Sequence, residues 1–319
     1  MKKAGKHTYP SLGRIERLDW SFYDVIAPDA KIEVLADGFT WSEGPRWIKD
    51  GGYVVFSDVP KNTVFKWKEG EGLSTFLKPS GYTGTIPRGG EPGSNGLTTD
   101  SAGRLVLAQH GDRCIGRLEK DGSRTILAEY YNYMRFNSPN DLVYDNDGNL
   151  YFTDPPYGLE GNVNDPKKEM MYSGVFLLRR SGEVVLLTKE LRFPNGIAFS
   201  PDYKTLYVGA SDPKAPTIMA YNVQSDGTID GGRLFFDTLP LVPGKKGLPD
   251  GMKVDKKGNV FTTGPGGVLV INPKGQHIGT IVTDEQTGNC AWGDDGKTLY
   301  IMANHQLCRI RTRTEGLGY

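Results

Sequence analysis

Six segments of this 319-residue chain repeat one pattern, a turn followed by alternating apolar residues. The first three run from Lys49 to Phe56, Asp100 to Leu107 and Asp145 to Phe152. The others run from Ser200 to Tyr207, Asp255 to Phe261 and Asp294 to Tyr300. Each reads as a hairpin turn opening a strand. They recur roughly every 40 to 55 residues, the length of a four-stranded propeller blade. The expectation is an all-β chain, a six-bladed β-propeller spanning residues 31–319 with a central metal site. Residues 1–30 lack the repeat and read as an N-terminal extension. Within it, Leu18 to Pro28 is expected as a short helix packed across one end of the disc. Lys31 to Leu35 alternates and is expected as a strand that closes the ring.

Counting back from each turn gives a second regularity. Glu43, Asn95, Asn140 and Asp250 each precede their turn glycine by eight residues, and Asn195 precedes Tyr203, at the turn-glycine position, by eight. Asn289 precedes Gly296 by seven, as a one-residue loop deletion would give. Equal offsets mean equivalent places in each blade, so these side chains project together at one mouth of the channel if the strand before each hairpin is the innermost one. Any one of these Pro/Asn/Asp/Gly contexts alone reads as a turn. Turn chemistry does not explain amides and carboxylates recurring in one phase. Two carboxylates with several amide carbonyls make a hard oxygen site for one divalent cation, calcium first, then magnesium or manganese, with zinc the least suited.

The neighbouring strand returns to the same mouth, so residues about seven after each turn face it too. These include Asp58, His110, Asp154, Asp212 and Asn304. Turn capping is the favoured reading for the three aspartates.

Lys+Arg and Asp+Glu both number 38, which gives no electrostatic attraction for nucleic acid or an anionic membrane. The apolar runs are too short to span a bilayer, and no apolar signal core follows Met1. The expectation is a soluble protein whose compartment and oligomeric state stay open. Cys114, Cys290 and Cys308 are odd in number and widely spaced, which suits buried thiols better than disulfides or a zinc knuckle. No G-x-S-x-G elbow supports a serine hydrolase.

At these residues the chain resembles the SMP-30/gluconolactonase/regucalcin family of six-bladed lactonases, which also includes diisopropyl-fluorophosphatase-like phosphotriesterases. The resemblance rests on Trp41-Ser42-Glu43-Gly44-Pro45, Arg135 to Leu142, Tyr151 to Gly158, Phe193-Pro194-Asn195-Gly196, Leu248 to Met252 and Asn289 to Gly293. The run through Tyr157-Gly158 is most similar to the bacterial gluconolactonase branch. The resemblance implies a metal held by Glu43, Asn195 and Asp250, with Asn140 as a further ligand or substrate contact. It implies Asp250 as the catalytic acid/base, and Asn95, His110, Asn137 and Asn289 on the substrate-binding wall. Arg135 lies near the family's substrate-binding arginine. Tyr203 in place of a turn glycine and His305 in the last-blade loop are departures that bear on the rim.

The expected activity is hydrolysis of a sugar lactone, the cation polarising the carbonyl and Asp250 moving the proton. Two alternatives stay open: a phosphotriesterase, which needs a more apolar rim, and a non-catalytic calcium-binding propeller.

Overall fold

The computed structural model describes residues 8–318. Six antiparallel sheets succeed one another along the chain, and in each the first strand after the connecting loop is the innermost. The inner strands of blades 1 to 6 are Ser42–Ile48, Ser94–Thr99, Leu142–Tyr144, Pro194–Phe199, Met252–Val254 and Thr287–Gly293. The turns that define the repeat form for local reasons. Asp100, Asp145 and Asp255 each accept two backbone N–H groups across their own hairpin, and Gly103, Gly148 and Gly258 come next with positive φ. Tyr203 holds the same left-handed conformation at φ 57° without being glycine, its ring against Phe199.

Apolar alternation along the strands fills the six gaps between blades with six separate clusters. Blades 1 and 2 meet through Val55, Leu97 and Leu107, and blades 3 and 4 through Tyr151, Ile197 and Val208. Trp47, Phe56 and Tyr300 join blade 6 to blade 1, with the Trp47 and Tyr300 rings stacked at 5.7 Å. Each sheet thus packs an apolar cluster against the next around the axis.

The N-terminal segment is woven into this ring. Ile32–Asp37 pairs with Gln306–Arg311 as the fourth strand of blade 6, so chain start and chain end lock together. Ser11–Leu12 adds a fifth strand to blade 6, and Arg14–Arg17 adds a fifth to blade 5 beside His277–Val282. Where a helix across the end of the disc is expected, Trp20–Asp24 forms one 3-10 turn wedged between blades 5 and 6. Its Phe22 is fully buried against Gly279, where a Cβ would lie 2.6 Å from the ring. An amphipathic stretch too short for a stable helix takes its shape from that apolar gap. Of the expected extension at residues 1–30, residues 1–7 lie outside the described residues, and the rest lends one short strand to each of two blades.

All three cysteines are buried and free, and burial pushes each thiol up to about 12. A thiol reagent is accordingly expected to label none of them in the folded protein and all three after denaturation, followed by thiol absorbance. Among the described residues no helix is long and apolar enough to cross a membrane.

Candidate active site

Glu43, Asn95 and Asn195 lie on inner strands, while Asn140 and Asp250 stand two residues before the start of theirs. Their convergence depends on the small residues that come next in the chain. Gly44, Gly96, Gly196 and Gly251 stand directly after Glu43, Asn95, Asn195 and Asp250, and each packs onto the next blade's ring residue or its support. A Cβ at Gly44 would lie 2.0 Å from the Asn95 carbonyl oxygen, and one at Gly196 would lie 2.0 Å from that of Asp250. Backbone bonds then clamp adjacent blades: Gly96 donates to the Asn140 carbonyl at 2.7 Å and Gly251 to that of Gly288 at 2.8 Å. Ser57, Thr153 and Thr263, on the second strands of alternate blades, donate their hydroxyls to the carbonyls of Asn95, Asn195 and Gly288 in the next blade.

The ring forms the floor of a cavity of about 850 Å³. Glu43, Asn95, Asn140, Asn195 and Asp250 all line it, with Trp41, Tyr157 and Phe193 on its wall. Tyr157 and Phe193 stack at 5.7 Å with planes 12° apart. Charged Glu91, Arg192, Asp212, Lys214 and Lys245 also line it.

The electrostatics of the floor are unusual. Glu43 is 1% exposed, and burial raises its pKa above the ordinary carboxylate range, reinforced by the nearby Asp141 carboxylate. Asp250 is raised as well, by desolvation and then by the charge of Glu43. The Oδ1 atoms of Asn95, Asn140 and Asn195 are buried without any hydrogen-bond partner. Buried carbonyl oxygens are rarely left so, and each one orphaned costs roughly 1–3 kcal/mol. Three such oxygens beside two crowded carboxylates form an electron-rich set of hard donors, which fits a calcium-type cation. No trio of His, Cys, Asp or Glu side chains forms a metal cluster among the described residues, so a cation here depends on the amides.

Four other residues expected on the substrate wall lie elsewhere. Arg135 turns away, its guanidinium donating to the Asp112 carbonyl at 2.6 Å, because it belongs to a separate hairpin, Tyr130–Tyr131 with Met134–Arg135. Asn137 is fully buried and donates to the Asp154 and Tyr172 carbonyls. His110 is fully buried behind the rim, with Nδ1 3.2 Å from the Glu91 carboxylate. Asn289 lies beneath the floor, where its Oδ1 accepts from the Cys290 N–H at 2.9 Å and its Nδ2 faces Asp141 at 3.5 Å. None of the four lines the cavity.

The three rim aspartates cap turns. Asp58 accepts from Thr40 and Trp41, Asp154 from Asn137 and Ser138, and Asp212 from Lys214. Sequence reasoning missed Asp141 and Glu91. Asp141 carried a readable signal, since it stands where the other ring residues are followed by glycine. Glu91 belongs to the loop between blades 1 and 2, outside any periodicity.

The chain is a closed six-bladed propeller with two carboxylates and three amides gathered on one cavity. Residues 41–305 match the model of the SMP-30/Gluconolactonase/LRE-like region, and the chain belongs to that family. A gluconolactonase of Zymomonas mobilis is 40% identical, covering 96% of this chain and 88% of its own. The solved structure of a Xanthomonas campestris gluconolactonase superposes with a TM-score of 0.81 at 30% identity, covering 96% of this chain and 99% of its own. A calcium-binding regucalcin of Agrobacterium tumefaciens shares the fold, with a TM-score of 0.68 at 22% identity over 90% of this chain and 94% of its own.

Proposed function

We propose that this lactonase opens a sugar lactone at the cavity floor. The observation that carries the reading is the trio of orphaned buried amide oxygens beside Glu43 and Asp250. Glu43, Asn195 and Asp250, with Asn140, would hold a divalent cation, which supplies Lewis-acid polarisation of the lactone carbonyl. Neutral amide ligands leave that cation more positive than an all-carboxylate cage would. Asp250 takes the proton of the attacking water as its oxygen bonds to the carbonyl carbon. It then returns the proton to the ring oxygen as the ring C–O bond breaks, giving the open-chain hydroxy acid. Asn95, beside Asn140 on the lining, offers its amide to the sugar hydroxyls, and the Tyr157–Phe193 wall excludes water from one side. The charged rim disfavours an apolar phosphotriester. Proton release from a panel of aldonolactones, measured with calcium and after chelation, tests the reading. Calcium binding with no turnover of any lactone would make the chain a binding module instead.

Chelation has a pH signature. An acid whose folded pKa is raised stabilises the fold below its unfolded value, near 4, and that stability is lost as pH rises through the folded value. Glu43 and Asp250 both behave so. The melting temperature of the metal-free protein is therefore expected to fall as pH rises from about 4 through neutrality. Calcium is expected to flatten most of that slope in a thermal scan. Asp154, pushed up to about 7 by burial and bonded to the Asn137 and Ser138 N–H groups outside the proposed ligand set, leaves a residual slope that calcium does not remove.

A further inference from the structure

We infer that Ser211 is a positioning residue that sets the amide of Asn195 and the approach of the chain to Asp250, so that both present oxygen to the cation. The inference rests on the proposed cation site and extends it to a residue that touches neither the metal nor the reacting atoms.

Ser211 immediately follows the second strand of blade 4, Thr205–Ala210, and lines the cavity. Its backbone N–H donates to the Phe193 carbonyl at 2.9 Å, which fixes its place beside the inner strand. Its hydroxyl donates to the Pro249 carbonyl at 2.5 Å and accepts from Asn195 Nδ2 at 2.9 Å. The hydroxyl thus gives its one proton to the Pro249 carbonyl and offers a lone pair to Asn195.

The consequence is directional. With Nδ2 held by Ser211, the other end of the Asn195 amide, Oδ1, is the end left buried without a protein partner. Rotating the amide would break the bond to Ser211 and put N–H groups where the unpartnered oxygen stands, which leaves no oxygen there for a cation. The same hydroxyl grips the carbonyl of the residue preceding Asp250, tying the blade 4 ring residue to the entry of blade 5. Groups that orient metal ligands typically affect affinity about 10–100-fold when removed.

The test compares calcium binding by titration calorimetry in the chelated full-length chain and in Ser211→Ala, Ser211→Cys and Ser211→Thr. Thermal melts with and without calcium accompany it. Ser211→Ala and Ser211→Cys are expected to bind calcium about 10–100-fold more weakly and to show a smaller calcium-induced rise in melting temperature. Ser211→Thr, which keeps the hydroxyl, is expected to bind close to wild type. A merely structural role would lower the metal-free melt without changing calcium affinity, and that result overturns the inference. So does a Thr variant as weak as Ala. Wild-type protein that takes up no calcium overturns the cation reading itself. Ser211→Cys keeps the side-chain size, so the question is answered even where the Ala variant fails to fold.

Discussion

Replacing Asp250 by Asn is expected to lower lactone turnover about 10²–10⁴-fold, the range that a positioned proton-transfer group supplies. The melt of the metal-free variant should be no lower than that of the wild type. The reasoning separates chemistry from folding. Asn matches Asp in size and keeps an oxygen toward the cavity, so the Gly196 contact with the Asp250 backbone is undisturbed. It also removes a charge that burial and Glu43 both disfavour, so the metal-free fold loses nothing. What disappears is the ability to take a proton from water. Stopped-flow proton release alongside calcium titration divides the loss. A variant that binds calcium but turns over near the wild-type rate removes Asp250 from the proton-transfer role.

Gly44→Ala is expected to be the most destabilising single-methyl change at the site. The residue has φ 49°, and its added Cβ would lie 2.0 Å from the Asn95 carbonyl oxygen and 2.9 Å from the carbonyl carbon. Overpacking against backbone costs about 1–3 kcal/mol, and the left-handed conformation adds about 1–2 kcal/mol for a residue with a Cβ. Gly103→Ala is the control, because its φ is 74° yet nothing lies within 4 Å of the added carbon. It should lose only the conformational part, about 1–2 kcal/mol. Urea unfolding of the pair measures the difference. Equal losses would mean that the inter-blade approach at Gly44 is loose enough to yield, and the ring would then owe little of its geometry to these glycines. Because Gly44 carries the chain from Glu43 toward blade 2, calcium affinity should fall with stability in Gly44→Ala and stay unchanged in Gly103→Ala.

The order of residues along the chain determined the fold and most of the ring. Blade number, the strand that closes the circle and the common phase of Glu43, Asn95, Asn140, Asn195 and Asp250 all stem from local rules. Turn chemistry and two-residue alternation repeat at a fixed spacing, and a repeat makes equal offsets equivalent positions in space. The wall rests chiefly on the family resemblance instead. Arg135, Asn137, His110 and Asn289 stand at suggestive places in the chain, yet each is claimed by a partner far from it in sequence: Asp112, Tyr172, Glu91 and Asp141. Phase says which end of a blade a residue occupies and nothing about which carbonyl or carboxylate takes its side chain. The N-terminal segment shows the same division. Its alternation at Ile32–Asp37 was readable, whereas the pairing of Arg14–Arg17 with blade 5 depends on an edge strand more than 260 residues away. Tertiary structure alone decided the rest: the glycine-permitted approach of neighbouring blades, the crowding that raises Glu43 and Asp250, and the Ser211 hydroxyl shared between two blades. Those properties arise from distances between chains of atoms brought together only when the ring closes, and no local pattern encodes them.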